Sequence, residues 1–127
     1  MKKKIDKLEG AELDLWVAKC ENLNARIEDG EVWIYPPVDT AWPGQRLSPT
    51  ESRVTPVYSF SPHKLWHDAG PLIEDNEINS LHAAKMPHWT AFAEVGDRYY
   101  SSQDKSLLVA AMRCYVMLKL DSEWVEI

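Results

Sequence analysis

The rhythm of apolar and polar positions changes several times along this chain, and each change marks an element. Leu13, Trp16, Val17 and Cys20 fall at i, i+3, i+4 and i+7, the spacing that lines one face of a helix over 6–23. Asp6 followed by Glu9 resembles a capping box, and Gly10 weakens the first turn enough to leave room for a later start. Asp29-Gly30 is a two-residue hairpin signal, and Val32 and Ile34 alternate with Trp33 and Tyr35 after it. A strand over 31–35, paired with 25–28, follows.

Over 36–62 the rhythm is lost. Six of the eight prolines lie there with Trp42, Tyr58 and Phe60, and proline at that density continues neither a ladder nor a helix. A long loop or insertion is expected, its aromatics either pinning it to the core, the commoner role, or lining a recess. Gly70-Pro71 reads as an N-cap and a first-turn proline opening a short helix to about residue 76. Strands are expected over 78–84 and 89–95, the second placing Trp89, Ala91, Ala93 and Val95 on one face, and Gly96-Asp97 turns into a third over 98–102. Ser106 is a good N-cap for a last helix over 107–120, apolar on nearly every side apart from Arg113 and Lys119. The expected fold is α+β, one domain over 1–127. A small antiparallel sheet of three to five strands is flanked on one face by an N-terminal and a C-terminal helix, with a short middle helix and a long Pro-rich loop.

Composition narrows the class. A chain of 127 residues buries about two thirds of its unfolded surface, and 45% hydrophobic with 27% charged residues is globular rather than disordered. Cys20 and Cys114 each sit in an apolar helical pattern, which suits buried thiols in a reducing compartment. No apolar signal segment follows Lys2-Lys3-Lys4, which reads as a solvated tail, and the longest apolar run, 107–112, stops at Arg113, far short of a membrane span. A net charge of −6 opposes attraction to phosphate backbones and disfavours nucleic acid as a partner.

Chemical motifs are sparse. His63 and His67 stand four apart with Asp68 beside them, yet the glutamate of HExxH is missing and no third ligand is placed by spacing, so structural or exposed histidines are favoured over a metal site. His82 and His88 flank a turn with no nucleophile elbow near them, and the five glycines are too scattered for a phosphate cradle. No catalytic residue, metal or cofactor is assigned. Arg113, mid-helix among apolar neighbours, requires a counter-charge. Asp68, Glu74 and Asp75 beside the Gly-Pro turn are the candidates, with an anionic ligand in a recess near Trp66 as the alternative.

Three stretches together resemble the NinX-like family of small bacteriophage and prophage proteins. They are Leu8-x-Gly10-x-x-Leu13-Asp14-x-x-Val17-Ala18; Trp66-x-x-x-Gly70-Pro71-Leu72-Ile73-Glu74 with Ile78 and Trp89-x-Ala91; and the run from Ser106-Leu107 to Tyr115-Val116. Ser106-Leu107 replaces an expected Thr-Pro helix start, and Ala69 an expected glycine. The resemblance implies a phage accessory protein of the bacterial cytoplasm and brings no catalytic residues. The leading expectation is therefore a non-enzymatic module that binds a host or phage protein, with Trp42, Trp66, Asp68, Gly70, Pro71 and Arg113 as binding residues. A rival reading has Arg113, Asp68, His63 and His67 converging on an enzyme pocket under the loop, near Trp66. A weaker one is double-stranded nucleic-acid binding, on the order of helices and strands alone. A homodimer through a sheet edge or the last helix is left open.

Overall fold

The computed structural model describes residues 2–35, 58–82 and 87–126. A first strand, β1 (Lys2–Lys4), leads through a 3-10 turn (Ile5–Lys7) into α1 (Gly10–Cys20), then β2 (Asn24–Glu28) and β3 (Glu31–Tyr35). After these come β4 (Tyr58–Phe60), α2 (Trp66–Asp75), β5 (Asn79–Leu81), β6 (Trp89–Val95) and β7 (Arg98–Asp104). The last helix is α3 (Leu107–Leu120), followed by β8 (Trp124–Glu126).

The fold is α+β, with its strands divided among three small antiparallel sheets, β1-β8, β2-β3-β4 and β5-β6-β7. The β2–β3 turn is built as the Asp-Gly pair predicts, with φ of 53° at Asp29 and 79° at Gly30, so that Glu28 pairs with Glu31. In the third sheet, β6 and β7 pair from Trp89 with Asp104 to Val95 with Arg98.

The core is organised on α3, nine of whose fourteen residues are buried. One side meets α1, and another lies over β6 and β7, where Ala91 and Ala93 are buried and their short side chains leave room for the helix. Ser106 caps the start, its hydroxyl accepting from the Val109 amide at 3.3 Å. The end turns through Asp121 at φ 50°, whose carboxylate accepts from the Arg98 guanidinium and the Tyr100 hydroxyl.

Several expectations are corrected. The two long helices do not cover one sheet: α1 packs on β2 and β3, whereas α3 packs on β5, β6 and β7. Lys2–Lys4 is a strand rather than a solvated tail. It pairs with β8, Lys3 reaches Glu12 at 2.6 Å, and the Lys4 ammonium lies 5.7 Å from the Trp124 ring centroid. Within the proline-rich stretch, 58–60 is a strand on β3, because no proline falls inside those three residues. Residues 36–57 lie outside the described residues. The middle helix starts at Trp66, four residues before Gly70, and takes Pro71 into its interior. Gly70 makes that tolerable, since the helical conformation before a proline is opposed by a Cβ that glycine lacks. The strand expected over 78–84 is β5, Asn79–Leu81.

Candidate functional site

The most constrained polar cluster is built around the turn at residues 61–65. Ser61 and Pro62 are buried there, and the Lys64 and Leu65 amides donate back to the Ser61 carbonyl at 3.1 and 2.9 Å. Asp14 projects into this turn from the buried side of α1, itself only 1% exposed. Its Oδ1 accepts from the His63 backbone amide at 2.9 Å, and its Oδ2 meets His63 Nδ1 at 2.5 Å. Burial holds the Asp14 carboxyl above the usual carboxylate range, the His63 amide and ring oppose that shift, and the neighbouring Asp68 adds to it.

Asp68, in the first turn of α2, completes the cluster. Its Oδ2 accepts from the Ser61 amide at 2.9 Å and its Oδ1 lies 3.1 Å from Nε2 of the exposed His67. Two carboxylates on two different helices therefore fix one short turn, and that turn sets where α2 begins. The first residue of α2 is Trp66, 58% exposed. Among the described residues no aromatic ring or cation stacks on it, whereas exposed Trp124 sits against Lys4 and exposed Tyr99 against Phe92. Chemically, this arrangement offers an exposed indole on a helix start whose preceding turn is fixed by hydrogen bonds.

Of the remaining expected site residues, two share the helix of Trp66 and Arg113 takes partners elsewhere. Gly70 and Pro71 lie on α2 one turn beyond Trp66, Pro71 exposed and Gly70 half-buried, with open space where a Gly70 side chain would stand. Trp42 lies outside the described residues. Arg113 is buried as its setting requires, yet its partners are not Asp68, Glu74 or Asp75. Nε donates to the Leu8 carbonyl at 2.9 Å and Nη1 to Asp104 Oδ1 at 3.1 Å, while Asp104 Oδ2 accepts from the Ser106 amide at 2.9 Å. The guanidinium thus joins the approach to α1 to the end of β7, because the inward side of α3 at this turn faces those segments and not α2.

Of the four residues of the enzyme reading, His63, His67 and Asp68 lie together at the clamped turn, whereas Arg113 is engaged by Asp104 and the Leu8 carbonyl. No group of three or more His, Cys, Asp or Glu among the described residues could hold a metal ion, and none of their helices is long and apolar enough to cross a membrane. Both thiols are shifted upward by burial, Cys20 to about 11 and Cys114 to about 12, which suppresses thiolate chemistry.

Asp14 is the residue that spacing arguments missed. A signal was present: an acidic side chain three before Val17 and four before Ala18, on the apolar side of a helix, requires a buried donor elsewhere in the fold.

No curated protein matches this chain. A family model described as Bacteriophage P22, NinX matches residues 4–119, which takes in both helices of the core, the clamped turn and Trp66. The chain therefore belongs to the bacteriophage P22 NinX family.

Proposed function

We propose that this phage protein is a non-enzymatic binding module that acts in the host cytoplasm by docking a host or phage protein against Trp66 and the outer side of α2. The observation that carries the reading is the mounting of Trp66. A large indole is held at the surface by a turn that two buried or half-buried carboxylates fix from different helices. Tryptophan is the side chain most enriched among residues that dominate binding energies, and a pre-ordered mount lowers the entropy lost on association. Gly70 and Pro71 continue the surface and Asp68 holds it in place, so four of the expected binding residues act together. Arg113 contributes to the fold beneath.

A photo-crosslinking residue placed at position 66, and separately at position 99 as an exposed aromatic control, tests this in cells producing the protein from its phage. A discrete adduct at 66 and none at 99, competed away by excess wild type but not by Trp66→Ala, is expected. Equal labelling at both positions, or competition by Trp66→Ala as effective as by wild type, overturns the proposal.

A further inference from the structure

The outer side of α2 has a chemistry that goes beyond an exposed indole. Trp66, Gly70 and Glu74 form one row at i, i+4 and i+8, and His67, Pro71 and Asp75 form the adjacent row. All but Gly70 are exposed. Where α2 ends, Asp75, Asn76 and Glu77 meet Glu94 and Val95 of β6 and Leu118 and Lys119 of α3 around an open recess of about 470 Å³. Val95, 52% exposed, is an apolar wall of it.

Charge decides what fits. Among the described residues, none of Glu74, Asp75, Glu77 and Glu94 pairs with a basic side chain. Both α2 and α3 end at this recess, and helix C-termini are the negative ends of their dipoles. The lining has one cation, Lys119, whose ammonium lies 5.8 Å from the Tyr115 ring centroid. Carboxylates left without counter-charges at one end of a helix whose other end carries an exposed indole are complementary to a cationic segment with an apolar or guanidinium anchor, and they repel nucleic acid.

We infer that this face receives a basic segment of a protein partner, with one residue laid on Trp66 and a lysine or arginine seated in the recess. The inference rests on the reading of Trp66 as the docking residue and adds the partner's chemistry. Trp66 and Asp75 are nine residues apart, about 14 Å along the helix axis. Four or five extended residues cover that distance, at about 3.3 Å each, which sets the spacing between anchor and cation.

Two labelled peptides of equal length, one alternating arginine with leucine and one alternating glutamine with leucine, are titrated with the protein and followed by fluorescence anisotropy. The titrations are repeated with Trp66→Ala, with a recess variant (Asp75→Asn, Glu77→Gln, Glu94→Gln), and with a variant of equal charge change elsewhere (Glu9→Gln, Glu12→Gln, Asp29→Asn). The arginine peptide is expected to bind about tenfold tighter than the glutamine peptide, and the recess variant to lose about tenfold while the distant variant loses less than about threefold. Equal losses in the two charge variants, or equal binding of the two peptides, overturn the inference. Binding that Trp66→Ala abolishes and the recess variant leaves intact overturns it too, while sparing the docking role of Trp66. Self-association seen by sedimentation and lost in the recess variant would put a second copy of the chain there and overturn it as well.

Discussion

Asp14 and His63, 49 residues apart in sequence, are joined through both oxygens of one carboxylate, one to the histidine amide and one to its ring. The carboxylate is almost wholly withdrawn from water, and His63 supplies both of those bonds. The pair therefore acts as a clamp between α1 and the turn that carries Trp66.

Asp14→Ala is expected to lower unfolding stability by about 3 kcal/mol, the cost of removing one partner from a buried polar pair. Asp14→Asn should cost less, because its single carbonyl oxygen still accepts one of the two bonds. Urea titration checks the order. Hydrogen exchange should show the amides of Ser61, His63, Lys64 and Leu65 losing protection before those of α3 in either variant.

Arg113→Ala is likewise expected to cost about 3 kcal/mol, since it strands the Leu8 carbonyl and opens space under α3. Asp104→Asn should cost only about 1 kcal/mol, because the Asp104 side chain is 30% exposed and water replaces part of what the guanidinium supplied. Denaturation midpoints that place Asp104→Asn above Arg113→Ala in cost would contradict this ranking.

Tyr115 is fully buried, and its hydroxyl faces the Glu21 carboxylate without reaching hydrogen-bonding geometry. Tyr115→Phe removes an unsatisfied polar atom and keeps the ring, so stability at neutral pH should stay level or rise by about 1 kcal/mol. Thermal melts of the two proteins decide it, and a fall of several degrees would count against the assignment.

The thiols give a pH dependence of definite sign. Burial raises Cys20 to about 11 and Cys114 to about 12, against an ordinary value of 9.0. A group raised on folding contributes stability that is fully present below its unfolded value and is lost as pH rises through its folded value. Stability should therefore fall from about pH 9 towards pH 11 to 12. A Cys20→Ala, Cys114→Ala protein should show a shallower fall over the same range, read from urea midpoints at successive pH values.

Pro71 lies inside α2, where a proline lacks the amide that would donate to the carbonyl of His67. Pro71→Ala should restore that bond and raise stability by about 1 to 3 kcal/mol. Circular dichroism during thermal unfolding would register the gain, and an unchanged midpoint would mean that the ring's own contacts offset it.

How far the sequence was legible depends on the range of the forces involved. The β2–β3 hairpin, the β6–β7 pair and α3 were readable because each is set by local chemistry: Asp29-Gly30, Gly96-Asp97 and the Ser106 cap act within a few residues. The β1–β8 pair and the placement of β4 on β3 were not, since pairing between distant segments leaves no period in either one. Arg113 was correctly read as needing a partner, because its burial followed from helical spacing. Which carboxylate answers it depends on how α3 is rotated against β7, and periodicity does not carry that. Trp66 was named from the sequence as a binding residue, whereas the Asp14 carboxylate that steadies its mount was hidden inside a stripe read as purely apolar.

The pairing of β1 with β8 has a bearing on how the protein is made. Residues 2–4 are synthesised about 120 residues ahead of their strand partner and can pair only when residues 124–126 have followed. The Ile5 amide likewise waits for the Glu123 carbonyl, 2.9 Å away in the finished molecule. A nascent chain can assemble its hairpins and helices on the way, but the seam between β1 and β8 closes only after translation has passed residue 126.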